Sequence, residues 1–273
     1  MKLNLQEKTH TFTLVGMSGS GKTSLSHKLS ADGFFHYSID YEIAHTHLKS
    51  KIKQSVVEKI AKQSPTFCNL IEKFAINLEL SLTFDDLEII TMFAIPQKEN
   101  GKVNFGEFLH NQELYRIAEI QATQEFHSRA KIAFDNYQVE GFINDTTGSI
   151  CDVALSKPEL LGSITRNSQV IYLQTTQEHQ EVLIERSKNT LKPILYNKSF
   201  FYQSLKEYYK KSEFNHSFEI DQEFFLWIFP KLLEFRQKSY QEFVKNTNGK
   251  TINAMLFNKV RDTRDFLDLI HTY

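Results

Sequence analysis

The sequence predicts an α/β fold in which a parallel sheet carries a helical insertion and a helical C-terminal tail. Short apolar, β-branched runs alternate with stretches of helical periodicity, and this alternation is typical of a parallel sheet. A glycine-rich loop follows the first of these runs and leads directly into a helical stretch. The length of 273 residues suits one such domain with a sizeable insertion, or two small domains.

Composition and charge narrow the class of partner. The chain has 32 Lys plus Arg against 33 Asp plus Glu, so no global field would attract nucleic acid or an anionic membrane. Phe is abundant at 23, while Pro and Gly are scarce at 5 and 10, which indicates ordered protein. The two cysteines form no CxxC pattern, and the N-terminal residues lack the pattern of a secretory signal. We therefore expect a cytoplasmic protein with a small-molecule partner; composition leaves the oligomeric state open.

Four strands are predicted, in chain order. They are Thr11–Val15, Phe34–Ile39, Val139–Ile143 and Gln169–Leu173. Helical spacing begins at Thr23 and returns from Ala44 to about Tyr137, with a break at the polar run Pro96–Gly101. The chain from Phe200 onward carries apolar stripes at helical spacing. These boundaries predict a core of residues 1–44 and 138–200, a helical insertion of residues 45–137 and a helical extension of residues 201–273.

A phosphate-binding loop is predicted at Gly16–Thr23. Its sequence fits the pattern G-x-x-x-x-G-K-[ST] between a predicted strand and a predicted helix, which is the context this motif requires. The glycines let backbone N–H groups wrap around phosphate oxygens, Lys22 reaches the β- and γ-phosphates, and Thr23 ligates Mg²⁺. The motif predicts a P-loop NTPase core that binds ATP and Mg²⁺. The nucleotide-binding residues are Gly16, Met17, Ser18, Gly19, Ser20, Gly21, Lys22, Thr23 and Ser24.

Two carboxylates follow predicted strands at the edge where such folds bind ligands. Asp145 is expected to hold Mg²⁺ together with Thr23, or else to begin the turn Asp145–Gly148. Asp40 is expected to orient or deprotonate the hydroxyl that attacks the γ-phosphate, or else to cap a helix that begins at Tyr41. The metal-binding role of Asp145 and the catalytic role of Asp40 would each place a carboxylate near the transferred phosphoryl group.

The turn Asp145–Gly148 also fits the D-x-x-G pattern of GTPases, which keeps a nucleotide-driven switch as an alternative. Guanine-reading proteins carry Asn-Lys-x-Asp after a later strand. The closest strings, at Asn197–Phe200 and Asn258–Arg261, lack the Asp. Guanine specificity is therefore unsupported.

A basic segment after the fourth strand is typical of a lid. Between Arg186 and Lys211 seven Lys or Arg stand against one acidic residue, Glu207. A flap of this kind closes cations over the transferring phosphoryl group, and Arg186 and Lys192 are the candidates for that contact. The alternative is a solvated helix face. Arg236 lies on an apolar stripe, where it either reaches a substrate anion or leaves its head in water.

Together these motifs resemble the shikimate kinase and gluconate kinase branch of P-loop kinases. The matches, in order, are the loop Gly16–Thr23, Asp40 after the second strand, Gly148 after the third, and Leu191–Leu195 after the fourth. The resemblance implies ATP-dependent phosphorylation of a small molecule, with Asp40 meeting the acceptor and Lys192 in place of a lid arginine. The long connection after Asp40 and the Asp145–Gly148 turn depart from the family where its acceptor binds. Shikimate itself is therefore not the expected acceptor.

The sequence thus predicts a kinase that moves the γ-phosphoryl group of MgATP to a small-molecule acceptor. The predicted catalytic residues are Lys22, Asp40, Arg186 and Lys192, and the predicted metal ligands are Thr23 and Asp145. The alternative is a P-loop ATPase or GTPase switch that acts through a protein partner.

Overall fold

The structure is a computed structural model, and it describes residues 11–73, 79, 81–83, 88–98, 100–188 and 195–273. The described strands are β1 (Thr11–Val15), β2 (Phe34–Ser38), β3 (Val103–Asn104), β4 (Gly141–Asp145), β5 (Gln169–Gln174), β6 (Glu219–Ile220) and β7 (Lys250–Asn253). The described α-helices are α1 (Lys22–Ala31), α2 (Ile39–Glu42), α3 (Lys49–Gln63), α4 (Pro65–Glu72), α5 (Glu88–Ala94), α6 (Phe105–Asn136), α7 (Ile150–Leu155), α8 (Pro158–Asn167), α9 (Gln177–Ser187), α10 (Lys198–Tyr209), α11 (Gln222–Thr247) and α12 (Thr263–Thr272). A π-helical turn at Ile43–His47 and a 3₁₀-helix at Ala254–Lys259 complete them.

A five-stranded parallel sheet forms the centre of the molecule, in the order β2-β4-β1-β5-β7. All residues of β1 and β4 are buried, because helices cover both faces of the sheet. One face packs against α6, α7, α8 and α11, and the other against α1, α12 and the 3₁₀-helix. The predicted α/β fold with a parallel sheet, a P-loop core and helical additions is confirmed. Within the described ranges, no helix is both long and apolar enough to cross a membrane.

The third strand of the sequence prediction, β4, runs two residues further than expected. It continues through Asn144 and Asp145, two polar residues that are nonetheless buried. The side-chain amide of Asn144 donates to Thr13 Oγ1 at 3.2 Å, so part of its polarity is satisfied by the neighbouring strand. The strand therefore carries the Asp145 carboxylate to the carboxyl edge of the sheet.

Residues 201–273 contain strands as well as the predicted helices. β7 lies parallel to β5, with Ile171 opposite Lys250, and β6 pairs antiparallel with β3. Both strands are short, and Ile252 is the buried residue of β7, so neither produces an extended apolar signal. The central sheet therefore includes a strand, β7, from the predicted extension. The division into core, insertion and extension remains a prediction.

The helix α6 passes over the carboxyl ends of β2 and β4. Its N-terminus is capped by Asn104, whose side chain accepts from the backbone N–H of Glu107. Its buried face includes Tyr115 and Glu119, which are one helical turn apart. The Tyr37 hydroxyl donates to the carbonyl of Ala122 at 2.7 Å and ties this helix to β2. Side chains from the predicted insertion therefore reach the edge where ligands bind.

The helix α11 covers the same edge from the C-terminal part of the chain. It contains Pro230, and its buried face includes Arg236 and Tyr240. The ring of Tyr240 stacks on Tyr172 of β5, with ring centres 4.9 Å apart. This contact fixes the last third of α11 beside the glycine loop.

Candidate active site

The loop between β1 and α1 is shaped by close backbone contacts. A Cβ on Gly16 would lie 2.9 Å from the carbonyl oxygen of Leu173, and a Cβ on Gly148 would lie 2.9 Å from the backbone nitrogen of Ser18. Only glycine permits these approaches. Helix α1 begins at Lys22 without a side-chain cap from Gly21, so its first N–H groups face the loop as a phosphate-binding helix N-terminus does.

Lys22 is buried and folds back onto its own loop. Its Nζ donates to the carbonyl oxygens of Gly16 at 2.8 Å and Met17 at 3.1 Å. Burial lowers the pKa of Lys22, while the carboxylates of Asp145 and Asp40 raise it in part. The ammonium group thus lies within electrostatic range of both predicted carboxylates.

Thr23 and Asp145, the two predicted Mg²⁺ ligands, are in hydrogen-bond contact; their role as ligands remains a prediction. Thr23 Oγ1 donates to Asp145 Oδ2 at 2.8 Å, and His36 Nε2 lies 3.2 Å from the same oxygen. The other oxygen, Oδ1, is buried and has no hydrogen-bond partner in the described residues. A buried carboxylate oxygen beside a P-loop hydroxyl fits a Mg²⁺ ligand.

A metal ion at this site would depend largely on phosphate and water oxygens. No group of three or more His, Cys, Asp or Glu side chains in the described part of the chain could hold a metal ion. Mg²⁺ is commonly bound through one or two protein ligands together with substrate phosphates and water. The buried hydroxyl of Ser20 also lacks a partner among the described residues, which fits a loop built to receive phosphate oxygens.

Asp40 lies in the first turn of α2. The cap of this helix is Ser38, whose hydroxyl accepts from the N–H of Tyr41 at 3.2 Å, so Asp40 is not the cap. The hydroxyl of Tyr115 donates to Asp40 Oδ1 at 3.0 Å. Burial and the nearby Asp145 raise the pKa of Asp40, while Lys22 and the Tyr115 hydrogen bond lower it. A π-helical turn follows directly, and such turns are frequent at functional sites.

Sequence reasoning missed a buried cluster centred on Glu119. The hydroxyl of Ser149 lies 3.0 and 2.9 Å from its two carboxyl oxygens, and the Thr147 hydroxyl donates to Oε1. Burial raises the pKa of Glu119 to about 7, although the two hydroxyls lower it in part. The sequence carries one signal for this cluster, because Glu119 lies on the apolar face of α6 beside Ala118 and Ala122.

The turn after β4 is held against the glycine loop from a second side. The hydroxyl oxygen of Tyr240 lies 2.8 Å from the Gly16 carbonyl oxygen and 3.1 Å from the Gly148 carbonyl oxygen. One hydroxyl thereby links the start of the loop to the turn. Because Glu119 holds the same turn through Thr147 and Ser149, both α6 and α11 support the loop.

Arg236 does not leave its guanidinium in water. Its Nε donates to Asp152 Oδ2 at 3.1 Å, and its Nη2 donates to the carbonyl oxygen of Leu195. Both side chains of the ion pair are 3% exposed. Burial lowers the pKa of Arg236, but Asp152, Cys151 and Tyr240 together more than offset this, so the net pKa is raised. The guanidinium is charged and joins α7, α11 and the chain before α10.

The basic segment is divided among several elements. Helix α9 lies beside the loop, since His179 Nε2 is 3.2 Å from the Gly19 carbonyl oxygen and a Cβ on Gly19 would lie 2.6 Å from Leu183. Arg186 is exposed in the last turn of α9, three residues after Leu183. Lys192 lies outside the described residues. The contact of either residue with phosphate remains a prediction.

Among solved structures, the chain has low-level similarity to an enzyme structure. A structure of shikimate kinase from Acinetobacter baumannii in complex with shikimate has a TM-score of 0.44 and 16% sequence identity, covering 96% of this chain and 91% of that chain. No protein-family model matches the chain, and no curated protein matches its sequence. The parallel sheet and the loop Gly16–Thr23 together define a protein with a P-loop core. Its activity has to be inferred from the site itself.

Proposed function

We propose that this protein is a kinase that transfers the γ-phosphoryl group of MgATP to a hydroxyl of a small molecule. One observation carries the proposal: Asp145 and Asp40 both lie within electrostatic range of Lys22 but are held differently. Asp145 accepts a hydrogen bond from the P-loop residue Thr23, whereas Asp40 accepts one from Tyr115 on α6. Two carboxylates in unlike environments suit two different roles in one reaction.

The nucleotide side would be held by the loop. Backbone N–H groups of Gly16–Thr23 and the Lys22 ammonium bind the phosphates, exchanging the loop carbonyls that Lys22 contacts now for phosphate oxygens. Thr23 and Asp145 would hold Mg²⁺, which would supply positive charge to neutralise the β- and γ-phosphates. Arg186 and Lys192 are the candidates to stabilise charge on the transferring group.

The acceptor side would centre on Asp40. The acceptor hydroxyl oxygen forms a bond to the γ-phosphorus, the bond from that phosphorus to the β,γ-bridging oxygen breaks, and ADP leaves with the bond's electrons. The hydroxyl proton passes to Asp40. A raised pKa suits this role, because a general base works best when its pKa approaches the working pH.

A nucleotide-driven switch is the second candidate. Gly148, in the turn that fits D-x-x-G, packs directly against the loop residue Ser18. The same turn is bonded to α6 through Glu119 and to α11 through Tyr240. A rearrangement of the loop on hydrolysis would reach both helices, which is the architecture a switch needs. For both candidate functions, the proposed location of the protein is the cytoplasm, where ATP is available.

A thermal-shift screen of the purified protein separates these functions. MgATP, MgGTP and MgADP are tested alone and then with a panel of hydroxyl-bearing metabolites. A ligand that binds only the folded state raises the melting temperature, by an amount equivalent to about 2.7 kcal/mol at a hundredfold excess over Kd. We expect a shift with MgATP that one metabolite enlarges, followed by ADP release with that metabolite. A nucleotide shift that no metabolite alters would favour the switch, and no shift with any nucleotide would refute both.

A further inference from the structure

The hydrogen bond between Tyr115 and Asp40 joins the predicted insertion to the reacting side of the site. Tyr115 is 1% exposed, and its hydroxyl donates to Oδ1 of Asp40 at 3.0 Å. Among the side-chain hydrogen bonds of the described residues, the bond from Tyr115 is the one that reaches the Asp40 carboxylate, and it engages Oδ1 rather than Oδ2. One carboxylate oxygen is thus fixed by the protein, and the other is left for a ligand.

Tyr115 differs from other buried tyrosines around the site. The hydroxyls of Tyr37 and Tyr240 satisfy their hydrogen-bonding needs with backbone carbonyl oxygens, which is the usual solution in a protein core. Tyr115 instead donates to a carboxylate that the proposed reaction uses. A tyrosine needed only for packing would not require that partner.

The protonation state of Tyr115 permits its hydrogen bond to Asp40 across the working pH range. Burial and the Asp40 carboxylate raise the pKa of Tyr115 well above its usual value, so its hydroxyl remains a donor. The charged and titratable groups that act on Asp40 are Asp145 on β4, Lys22 on α1, and Tyr115 and Glu119 on α6. Of these, Tyr115 is the group that contacts the Asp40 carboxylate by a hydrogen bond.

We propose that Tyr115 is a positioning residue for Asp40: it fixes the carboxylate by Oδ1 so that Oδ2 faces the acceptor hydroxyl. The inference rests on the proposed kinase function and adds a residue to it. It also assigns α6 a direct part in the reaction, because this helix then sets the orientation of the base. Removing the hydroxyl leaves Asp40 free to rotate and removes a hydrogen bond that favours its ionised form.

Replacing Tyr115 by Phe in the full chain tests the inference with two measurements. The first follows the Asp40 carboxyl carbon by ¹³C NMR as pH is varied, with Asp40→Asn identifying the signal. The second measures MgATP turnover against pH with water as acceptor. In Tyr115→Phe we expect the pKa of Asp40 to rise by about one unit or more. We expect kcat to fall about tenfold or more, KM for MgATP to stay within about twofold, and the acidic limb to move to higher pH.

Tyr209→Phe is the matched control, because the Tyr209 hydroxyl lies 3.2 Å from the carboxylate of Asp221, away from the loop. It should change neither the Asp40 titration nor kcat. An unchanged Asp40 titration in Tyr115→Phe overturns the inference. So does a shifted titration with unchanged kcat, since the bond then exists without acting on the reaction. Absence of turnover in the wild-type protein counts against the kinase function, while the NMR titration still decides whether Tyr115 controls Asp40.

Discussion

The proposed kinase site has a nucleotide half and an acceptor half, and the two are built in different ways. Apart from Asp145, which joins it through Thr23, the nucleotide half comes from one continuous segment, Gly16–Ser24, and most of its contacts involve backbone atoms. The acceptor half comes from separate segments, with Asp40 after β2, Tyr115 and Glu119 on α6, and Thr147 with Ser149 after β4. Its contacts are between side chains, and its centre is acidic rather than basic.

This difference separates the kinds of change that each half tolerates. Backbone N–H groups keep their positions when exposed loop side chains change, so the nucleotide half depends mainly on Lys22, Thr23 and the glycines. The acceptor half depends on individual carboxyl and hydroxyl groups in a buried setting, where an unpaired polar group is costly. We therefore expect substitutions in the nucleotide half to abolish MgATP binding. Substitutions in the acceptor half should instead lower turnover or change the dependence of turnover or stability on pH.

Lys22→Ala should have the largest effect, because it removes the cation that meets the phosphates. We expect the MgATP-induced thermal shift to disappear and turnover to fall by about 10²-fold or more, with an unchanged far-ultraviolet circular dichroism spectrum. Lys238→Ala, an exposed change on α11, is the control. Retained affinity and turnover in Lys22→Ala would exclude the loop as the nucleotide site.

Asp40→Asn should distinguish the two halves most clearly, because it should lower phosphoryl transfer without weakening MgATP binding. The amide cannot accept the acceptor proton, so we expect transfer to fall by about 10²- to 10⁴-fold while MgATP affinity stays within a few-fold. Asp135→Asn, an exposed change on α6, should leave both unchanged. The measurement is phosphoryl transfer or hydrolysis beside a nucleotide binding titration. Normal transfer in Asp40→Asn would remove Asp40 from the mechanism.

Glu119→Gln should reveal the pH dependence of the acceptor half. Because the pKa of Glu119 is raised from 4.5 to about 7 on folding, its contribution to stability is present below pH 4.5 and is lost as pH rises through 7. The free energy of unfolding of Glu119→Gln relative to wild type should therefore increase by about 3 kcal/mol between pH 4.5 and 8. Urea titrations at each pH measure this difference.

Glu107→Gln, an exposed change near the start of the same helix, is the control for this experiment. Its stability relative to wild type should vary little over the same range. If Glu119→Gln shows the same flat dependence, Glu119 is ionised at neutral pH and the hydroxyls of Thr147 and Ser149 outweigh its burial.

Tyr240→Phe should have the smallest effect. It removes the hydroxyl shared by the carbonyl oxygens of Gly16 and Gly148, which costs about 1 kcal/mol of stability. Because the stacked ring remains, we expect a few-fold rise in KM for MgATP with a nearly unchanged kcat. Tyr208→Phe, whose ring packs on Trp227 away from the loop, is the control. A larger fall in kcat than rise in KM would place Tyr240 with the acceptor half.

The features formed by one continuous stretch of sequence were predictable from that sequence. The strands β1, β2 and β5 are short apolar runs, and the P-loop is a local pattern whose chemistry follows from its own residues. The pair Thr23 and Asp145 was also predictable, because parallel strands bring their carboxyl ends to one edge. Each of these inferences needs only local sequence and a general rule of topology.

The remaining features depend on distant contacts. β7 is a strand because it lies beside β5, and its own residues carry little apolar signal. Tyr115 reaches Asp40 across 75 positions of sequence, and Glu119 reaches Ser149 across 30. No spacing rule predicts such pairs, because the path of α6 over the sheet decides them. The polar residues on its apolar face were the available signal.

The order of strands in the sheet also bears on how the chain folds during synthesis. β1 is the central strand, yet its neighbours β4 and β5 begin about 125 residues or more after it ends. At roughly 5–20 residues per second, translation leaves β1 without its partners for about 6 to 25 s. Its wholly buried apolar residues are then exposed on the nascent chain. The nucleotide loop, which β1 positions, can therefore form only late, and the emerging chain needs protection from aggregation until β4 is made.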